Sequence, residues 1–260
     1  MAEAGIVVSA DSHVVEPPEM FTPLQKRFGE RAPKMVHNEE RGDMLDLGDG
    51  TFGRAIGGFL IAGHDVASPE TRAMSRLGYK IARPGLYDIK ARLEDQDLDG
   101  VSAEVLYPSI LFNVYQLEDV EIIKATFACY NDWLADYAKE APERLYPLAC
   151  VQLHDIDAAI GEMERVAKLG HVGLCIPATA PATKTYTDRF YDKFWAAAQD
   201  MDMPLTMHIF TGASPRYGSP TNLQGNLGYT LAFVGVAVTV GDHCGSFSRR
   251  SGSGSERPSA

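Results

Sequence analysis

The stretch IVVSADSHVVEPPEMF, Ile6 to Phe21, decides how the rest of the chain is read. An apolar run from Ile6 to Ala10 leads into Asp11-Ser12-His13, and Pro17-Pro18 follows. The run does not alternate, which is the pattern of a strand buried on both faces of a parallel sheet. Side chains two apart on a strand point to the same face, so Asp11 and His13 project together. The C-terminal ends of parallel strands are where such folds gather their chemistry. A carboxylate and an imidazole at that place form a partial ligand set for zinc or another divalent metal. Two ligands alone leave a purely structural role standing.

Four more apolar runs read as buried strands: Val101–Tyr107, Leu145–Leu153, Val172–Pro177 and Pro204–Ile209. Helical spacing lies between them. EDVEIIKATFACYNDWLADYAKEAPER stops near Pro142. DIDAAIGEMERVAKLGHVG has Asp155 or Asp157 as a cap and Gly170 as its end. YTDRFYDKFWAAAQDMDMP stops before Pro204. Alternating strands and helices predict an α/β protein with a parallel sheet. A (β/α) barrel and an open doubly wound sheet are the two candidates. The first strand is not followed by GxGxxG, which weighs against a nucleotide-binding open sheet and a Rossmann-type oxidoreductase.

The 260 residues allow one large domain or two small ones, and 45% hydrophobic content supports a real core. A net charge of -11 argues against nucleic acid and anionic membranes as partners. Cys129, Cys150, Cys175 and Cys244 form no CxxC pair, so reduced thiols in a cytoplasmic protein are expected. MAEAGIVVSAD has no secretory character, and no apolar run has the length of a membrane span.

Two regions break the strand-helix rhythm. Residues 21–90 form a long insertion that reads as a small subdomain or lid, or as a surface excursion without a role. Asp49-Gly50 inside it signals a hairpin. The following GHDVASPETRAMSRLGYKIARPGLYD reads as polar loop, with Ser68-Pro69 and Arg83-Pro84 as breakers. From Gly241 the composition switches to GDHCGSFSRRSGSGSERPSA, with six serines, four glycines and three arginines. That low-complexity tail, residues 241–260, is expected to be disordered. It is either an ordinary flexible tail or the product of a coding shift near Gly241. Residues 1–240 are then the barrel domain.

MPLTMHIF places His208 near the end of the fifth run. Alone it reads as a satisfied core histidine. With Asp11 and His13 it completes three nitrogen and oxygen ligands, the number a catalytic metal site with an open position needs. Tyr107, Pro108 and Ser109 end the second strand, and His154 ends the third, so Tyr107, Ser109 and His154 are candidate substrate contacts. Glu16 is read either as orienting a ligand or as solvent-exposed. Arg92, Asp95 and Asp97 fit a solvated helix face. Trp195 has core spacing, and His37, His64 and His171 are read as loop or strand-edge residues.

On DSHVVEPPEMF, RPGLYDIKARLEDQDLDGVSAEVLYPS, ERLYPLACVQLHD and MDMPLTMHIF, the chain resembles the amidohydrolase superfamily. It resembles in particular the branch of metal-dependent hydrolases and decarboxylases that includes aminocarboxymuconate-semialdehyde and resorcylate decarboxylases. The resemblance implies a TIM-barrel-like (β/α)8 fold with one divalent metal, zinc first and manganese second. Asp11, His13 and His208 match three of the family's ligand positions. The family adds an acid/base histidine after the sixth strand and a metal-binding aspartate after the eighth. This sequence has neither in a recognisable context, since Asp242 and His243 fall in the tail, and no catalytic acid or base is assigned. With about five of eight strands legible, the expectation is an incomplete barrel, truncated or frameshifted. The activity implied is hydrolysis or non-oxidative decarboxylation of a small carboxylic-acid or carbonyl substrate. An inactive fragment or partner-bound module is the alternative. The partner implied is a small-molecule substrate, and a homodimer stays open as an assembly.

Overall fold

The computed structural model describes residues 5–61, 64–65, 67–181, 184–208 and 211. The expectations for Asp242 and His243 and for the tail from Gly241 lie outside these residues. The chain begins with β1 (Val8–His13). The inserted region follows, with α1 (Thr22–Phe28), β2 (Lys34–Asn38), β3 (Gly42–Asp46), β4 (Phe52–Ala55), α2 (Gly57–Leu60) and α3 (Pro69–Ser75). The strand-helix rhythm resumes with α4 (Ile89–Asp99), β5 (Ala103–Tyr107), α5 (Val120–Ala138), β6 (Leu145–Cys150), α6 (Ile156–Leu169), β7 (Gly173–Ile176), α7 (Asp192–Asp200) and β8 (Leu205–Met207).

The five strands outside the insertion form one sheet in the order β1-β5-β6-β7-β8, and every pairing is parallel. Strand order follows chain order with no reversal. A doubly wound sheet reverses at its switch point, whereas a barrel adds neighbours in sequence. The sheet is therefore a run of five consecutive (β/α) barrel strands among the described residues, a partial TIM-barrel fold.

Burial on both faces is visible within β6. Leu148 and Cys150 join the core shared with β5 and α5, whereas Ala149 joins the core shared with β7, α6 and α7. One strand feeds two cores, so its sequence shows no polar alternation. The helices begin and end where their caps dictate. The Asp155 carboxylate accepts from the Ala158 N–H at 3.1 Å, and Gly170 closes α6 at φ 96°, a left-handed conformation that glycine adopts without strain.

The insertion carries a second, three-stranded antiparallel sheet, β2-β3-β4. Its β3–β4 turn is at Asp49-Gly50: the Leu47 N–H donates to the Thr51 carbonyl at 3.1 Å, and the Asp49 carboxylate accepts from the Thr51 N–H at 2.9 Å. One stretch read as loop is a helix. Ser68-Pro69 starts α3 rather than breaking the chain: the Ser68 hydroxyl accepts from the Thr71 N–H at 3.0 Å, and proline at the first helical position has no N–H to waste. The insertion sits against the strand exits. The Tyr79 hydroxyl donates to the Glu16 carbonyl at 2.6 Å. Gly53 of β4 lies so close to Asn113 that a Cβ there would come 2.9 Å from its side chain.

Candidate metal centre

β1 runs three residues beyond its apolar stretch, to His13. Ser12 and His13 pair with Leu106 and Tyr107 of β5, after a register shift between Ser9 and Ser12. The polar ending is stable because each side chain has a destination. Ser12 donates to Glu104 at 3.2 Å. Asp11 and His13 share the opposite face, and His208, one residue past β8, meets them there.

Asp11 Oδ1 lies 3.4 Å from His13 Nε2 and 3.3 Å from His208 Nε2. The three ligand atoms lie within 4.8 Å of one another. His13 Nδ1–H donates to the Pro108 carbonyl at 2.7 Å. In the neutral ring this bond leaves the Nε2 lone pair facing the cluster, and in the protonated ring Nε2–H donates to Asp11. His208 is held by rings: Phe112 stacks on it at 4.4 Å and Tyr107 lies 5.2 Å away, centroid to centroid. Side-chain exposure falls from 48% at Asp11 to 29% at His13 and 7% at His208. The cluster is therefore reached from the Asp11 side.

Hydrogen bonds from His13 and His208 hold the Asp11 carboxyl far below the usual carboxylate range. At neutral pH it is an anion ready to ligate. Burial by itself would lower the pKa of His13. Its bonds to Asp11 and the Pro108 carbonyl, with the Asp11 and Glu16 charges, outweigh burial and raise it. The set, one hard anionic oxygen and two imidazole nitrogens with a carbonyl behind one of them, fits a divalent cation.

The other predicted residues are distributed unevenly. Tyr107 is buried beside both histidines, and burial raises its phenol pKa, so it stays protonated at neutral pH. The Ser109 hydroxyl donates to the Val14 carbonyl at 2.7 Å and the residue is buried. His154 follows β6 and is exposed, its N–H bonded to Gln152. Glu16 is fully buried, not exposed: its carboxylate accepts from the N–H groups of Ser109, Leu111 and Ile110 at 2.8, 3.1 and 3.3 Å. Burial pushes the Glu16 carboxyl up and these N–H groups work against it. His171 is also buried, its Nε2–H donating to the Asn131 carbonyl at 2.9 Å.

Arg92 departs from the solvated-face reading. Asp95 and Asp97 do pair at the surface, with Arg83 and Arg144. Arg92 instead points inward, 2.5 Å from Glu104, and donates to the His13 carbonyl at 3.1 Å. The signal for this was Glu104 itself. A carboxylate inside the buried strand AEVLY requires a cationic partner.

Fold and site together describe a parallel (β/α) sheet with a carboxylate and two imidazoles at its strand exits, the plan of a metal-dependent barrel enzyme. The amidohydrolase family model matches residues 95–247, more than half the chain, and the protein belongs to that family. It is 29% identical over 133 residues to gamma-resorcylate decarboxylase of Rhizobium sp. (strain MTP-10005), an alignment covering 47% of this chain and 39% of that one. The chain thus spans about two fifths of the length of that curated relative. An amidohydrolase from Mycobacterium avium subsp. paratuberculosis K-10 has a similar structure: TM-score 0.61, 20% identity, 80% of this chain and 60% of that one. So does 5-carboxyvanillate decarboxylase from Novosphingobium aromaticivorans DSM 12444, complexed with manganese and 4-hydroxy-3-methoxy-5-nitrobenzoic acid: TM-score 0.50, 20% identity, 80% and 51%. At these identities the likeness to the two structures is one of fold. Among the described residues no helix is long and apolar enough to cross a membrane.

Proposed function

We propose that the chain carries the metal-binding part of an enzyme that removes carbon dioxide, without oxidation, from a small aromatic carboxylic acid. The observation that carries this is the convergence of Asp11, His13 and His208 where β1 and β8 end. A divalent cation held by these three residues supplies Lewis acidity toward the oxygens of a bound carboxylate. The chain's own residues do the rest of the orienting. His13 presents Nε2 because Pro108 holds Nδ1–H. Tyr107 and Phe112 pack around the histidines and hold their planes. Tyr107 and His154 are kept as candidate substrate contacts, whereas buried Ser109, with its hydroxyl and N–H both engaged, is read as holding the loop. Decarboxylation is placed ahead of hydrolysis because the curated relative at 29% identity is a decarboxylase.

The finer assignments follow the same reasoning. Zinc is favoured over manganese by two imidazole donors. Described Cys129, Cys150 and Cys175 are free thiols, which suits a cytoplasmic protein. We keep residues 1–240 as the barrel domain and 241–260 as a tail. The 21–90 insertion is proposed as a cover over the strand exits, since Tyr79 and Gly53 contact Glu16 and Asn113 there. A homodimer is the assembly to test.

The test is metal content and carbon dioxide release in the chain loaded with zinc or manganese, with dihydroxybenzoates and aryl esters as substrates. The expected result is one metal per chain, lost in His208→Ala, and carbon dioxide from the acid without ester cleavage. Unchanged metal in His208→Ala would remove His208 from the site. Ester cleavage without carbon dioxide would turn the reading to hydrolysis. Stoichiometric metal with neither product would favour a non-catalytic module.

A further inference from the structure

We propose that Glu16 is a positioning residue of the metal centre, one that sets both imidazoles through a single buried loop. The inference rests on the metal reading above. Glu16 touches neither histidine through a hydrogen bond. Its two carboxylate oxygens gather three consecutive N–H groups, those of Ser109, Ile110 and Leu111. The residue before this triplet is Pro108, whose carbonyl holds His13 Nδ1–H. The residue after it is Phe112, which stacks on His208 at 4.4 Å and meets His13 edge-on at 6.0 Å. One carboxylate therefore fixes the backbone between the group that orients one imidazole and the group that packs against the other.

The chemistry requires a carboxylate there. Three N–H groups that converge in a buried place need acceptors on both arms of the side chain. Glutamine has the same shape, but one arm becomes a donor and faces an N–H instead of accepting from it. An aliphatic residue would leave all three unpaired. The loop has further ties at the same point: the Ser109 hydroxyl donates to Val14, and Tyr79 from the insertion donates to the Glu16 carbonyl. Glu16 is thus where β1, the loop after β5 and the inserted region meet, and all three hold one end of the metal centre.

The experiment compares Glu16→Gln with Val166→Ala, a buried residue of the other core that serves as a stability control. Two quantities are read in the 260-residue chain: zinc affinity by calorimetry, and the His13 ring-nitrogen signals by NMR in the metal-free protein. Glu16→Gln is expected to weaken zinc binding roughly 10- to 100-fold, the usual effect of losing a group behind a ligand. It is also expected to convert the single His13 tautomer to a mixture. Val166→Ala should lower the melting temperature and move neither quantity. Wild-type affinity and tautomer in Glu16→Gln would overturn the proposal, as would equal losses in Val166→Ala. If Glu16→Gln does not fold, Ser109→Ala tests the same loop, with a few-fold loss expected and wild-type behaviour overturning it. A wild-type chain that binds no zinc would sink the metal reading, while the metal-free His13 signal would still decide whether Glu16 sets that ring.

Discussion

The two strand ends that build the site differ in what surrounds their imidazoles. At the end of β1 the fixing is polar and backbone-based. His13 gives Nδ1–H to Pro108, its carbonyl accepts from Arg92, and the next residue, Val14, donates to the Tyr107 carbonyl at 3.0 Å. At the end of β8 the strand is three residues long and only half-buried, and the His208 ring packs against Phe112 and Tyr107 while its Nε2 faces Asp11 at 3.3 Å. Both arrangements pass through the same segment, Tyr107 to Phe112. That segment supplies no ligand, yet it touches both imidazoles. A short strand needs no strong ladder of its own if the ring it carries is wedged between aromatics rooted in a longer one. Hydrogen bonds fix the angle of a ring and packing fixes its position, so the two ends should fail differently.

The largest expected effect breaks the β8 side. Phe112→Ala removes a fully enclosed ring, which costs about 3–5 kcal/mol of stability, and it frees His208 to rotate. Denaturant unfolding should show the stability loss and calorimetry a weaker metal site. Phe194→Ala, in the core around α7, should cost similar stability with metal affinity intact. Equal affinity losses in both variants would mean that the ring beside His208 has no special role.

The β1 side is broken by Arg92→Met. Arg92 and Glu104 form a buried pair, with side chains only 7% and 15% exposed. Removing one partner leaves the other unpaired, at a cost of about 3–5 kcal/mol. The double variant Arg92→Met with Glu104→Met should recover most of that loss, because replacing both charges with apolar groups is close to neutral. The His13 carbonyl would still lack its donor. The expected signature is therefore restored stability with a changed His13 environment. Full recovery of both would show that Arg92 serves the fold and not the metal centre.

Legibility in the sequence follows the distance between partners. The five sheet strands, the Asp155 and Gly170 caps and the Asp49-Gly50 turn are local patterns, and each is in the structure near its expected place, but β1 is not buried on both faces: it has no buried residue, and Ile6 and Val7 ahead of it are exposed. The convergence of Asp11, His13 and His208 was readable because each residue sits at a strand end, a position that periodicity alone marks. Glu16 and Arg92 were not readable in the same way. Glu16 meets its donors 93 to 95 residues away, and Arg92 reaches His13 across 79. No local pattern carries those pairings. Glu104 was the one available clue, since its charge contradicts the strand around it. The helix after Ser68 was missed for another reason: the same serine-proline pair serves as a break or a start, and only the residues that follow decide.

The mildest test sharpens the comparison instead of breaking it. Thr211 is buried, and its hydroxyl donates to the His208 carbonyl at 2.6 Å while accepting from the Ala178 N–H at 2.8 Å. Thr211→Val keeps the shape and removes both bonds. The His208 carbonyl retains the Thr211 N–H at 3.3 Å, and Ala178 is only partly buried, so the loss should be about 1 kcal/mol. If the His208 ring is positioned by packing, this change to its backbone tie leaves metal affinity within about threefold of wild type, a difference worth less than 1 kcal/mol. If Thr211→Val weakens metal binding as much as Phe112→Ala does, the backbone after β8 sets the imidazole, and the two strand ends are held by the same means after all.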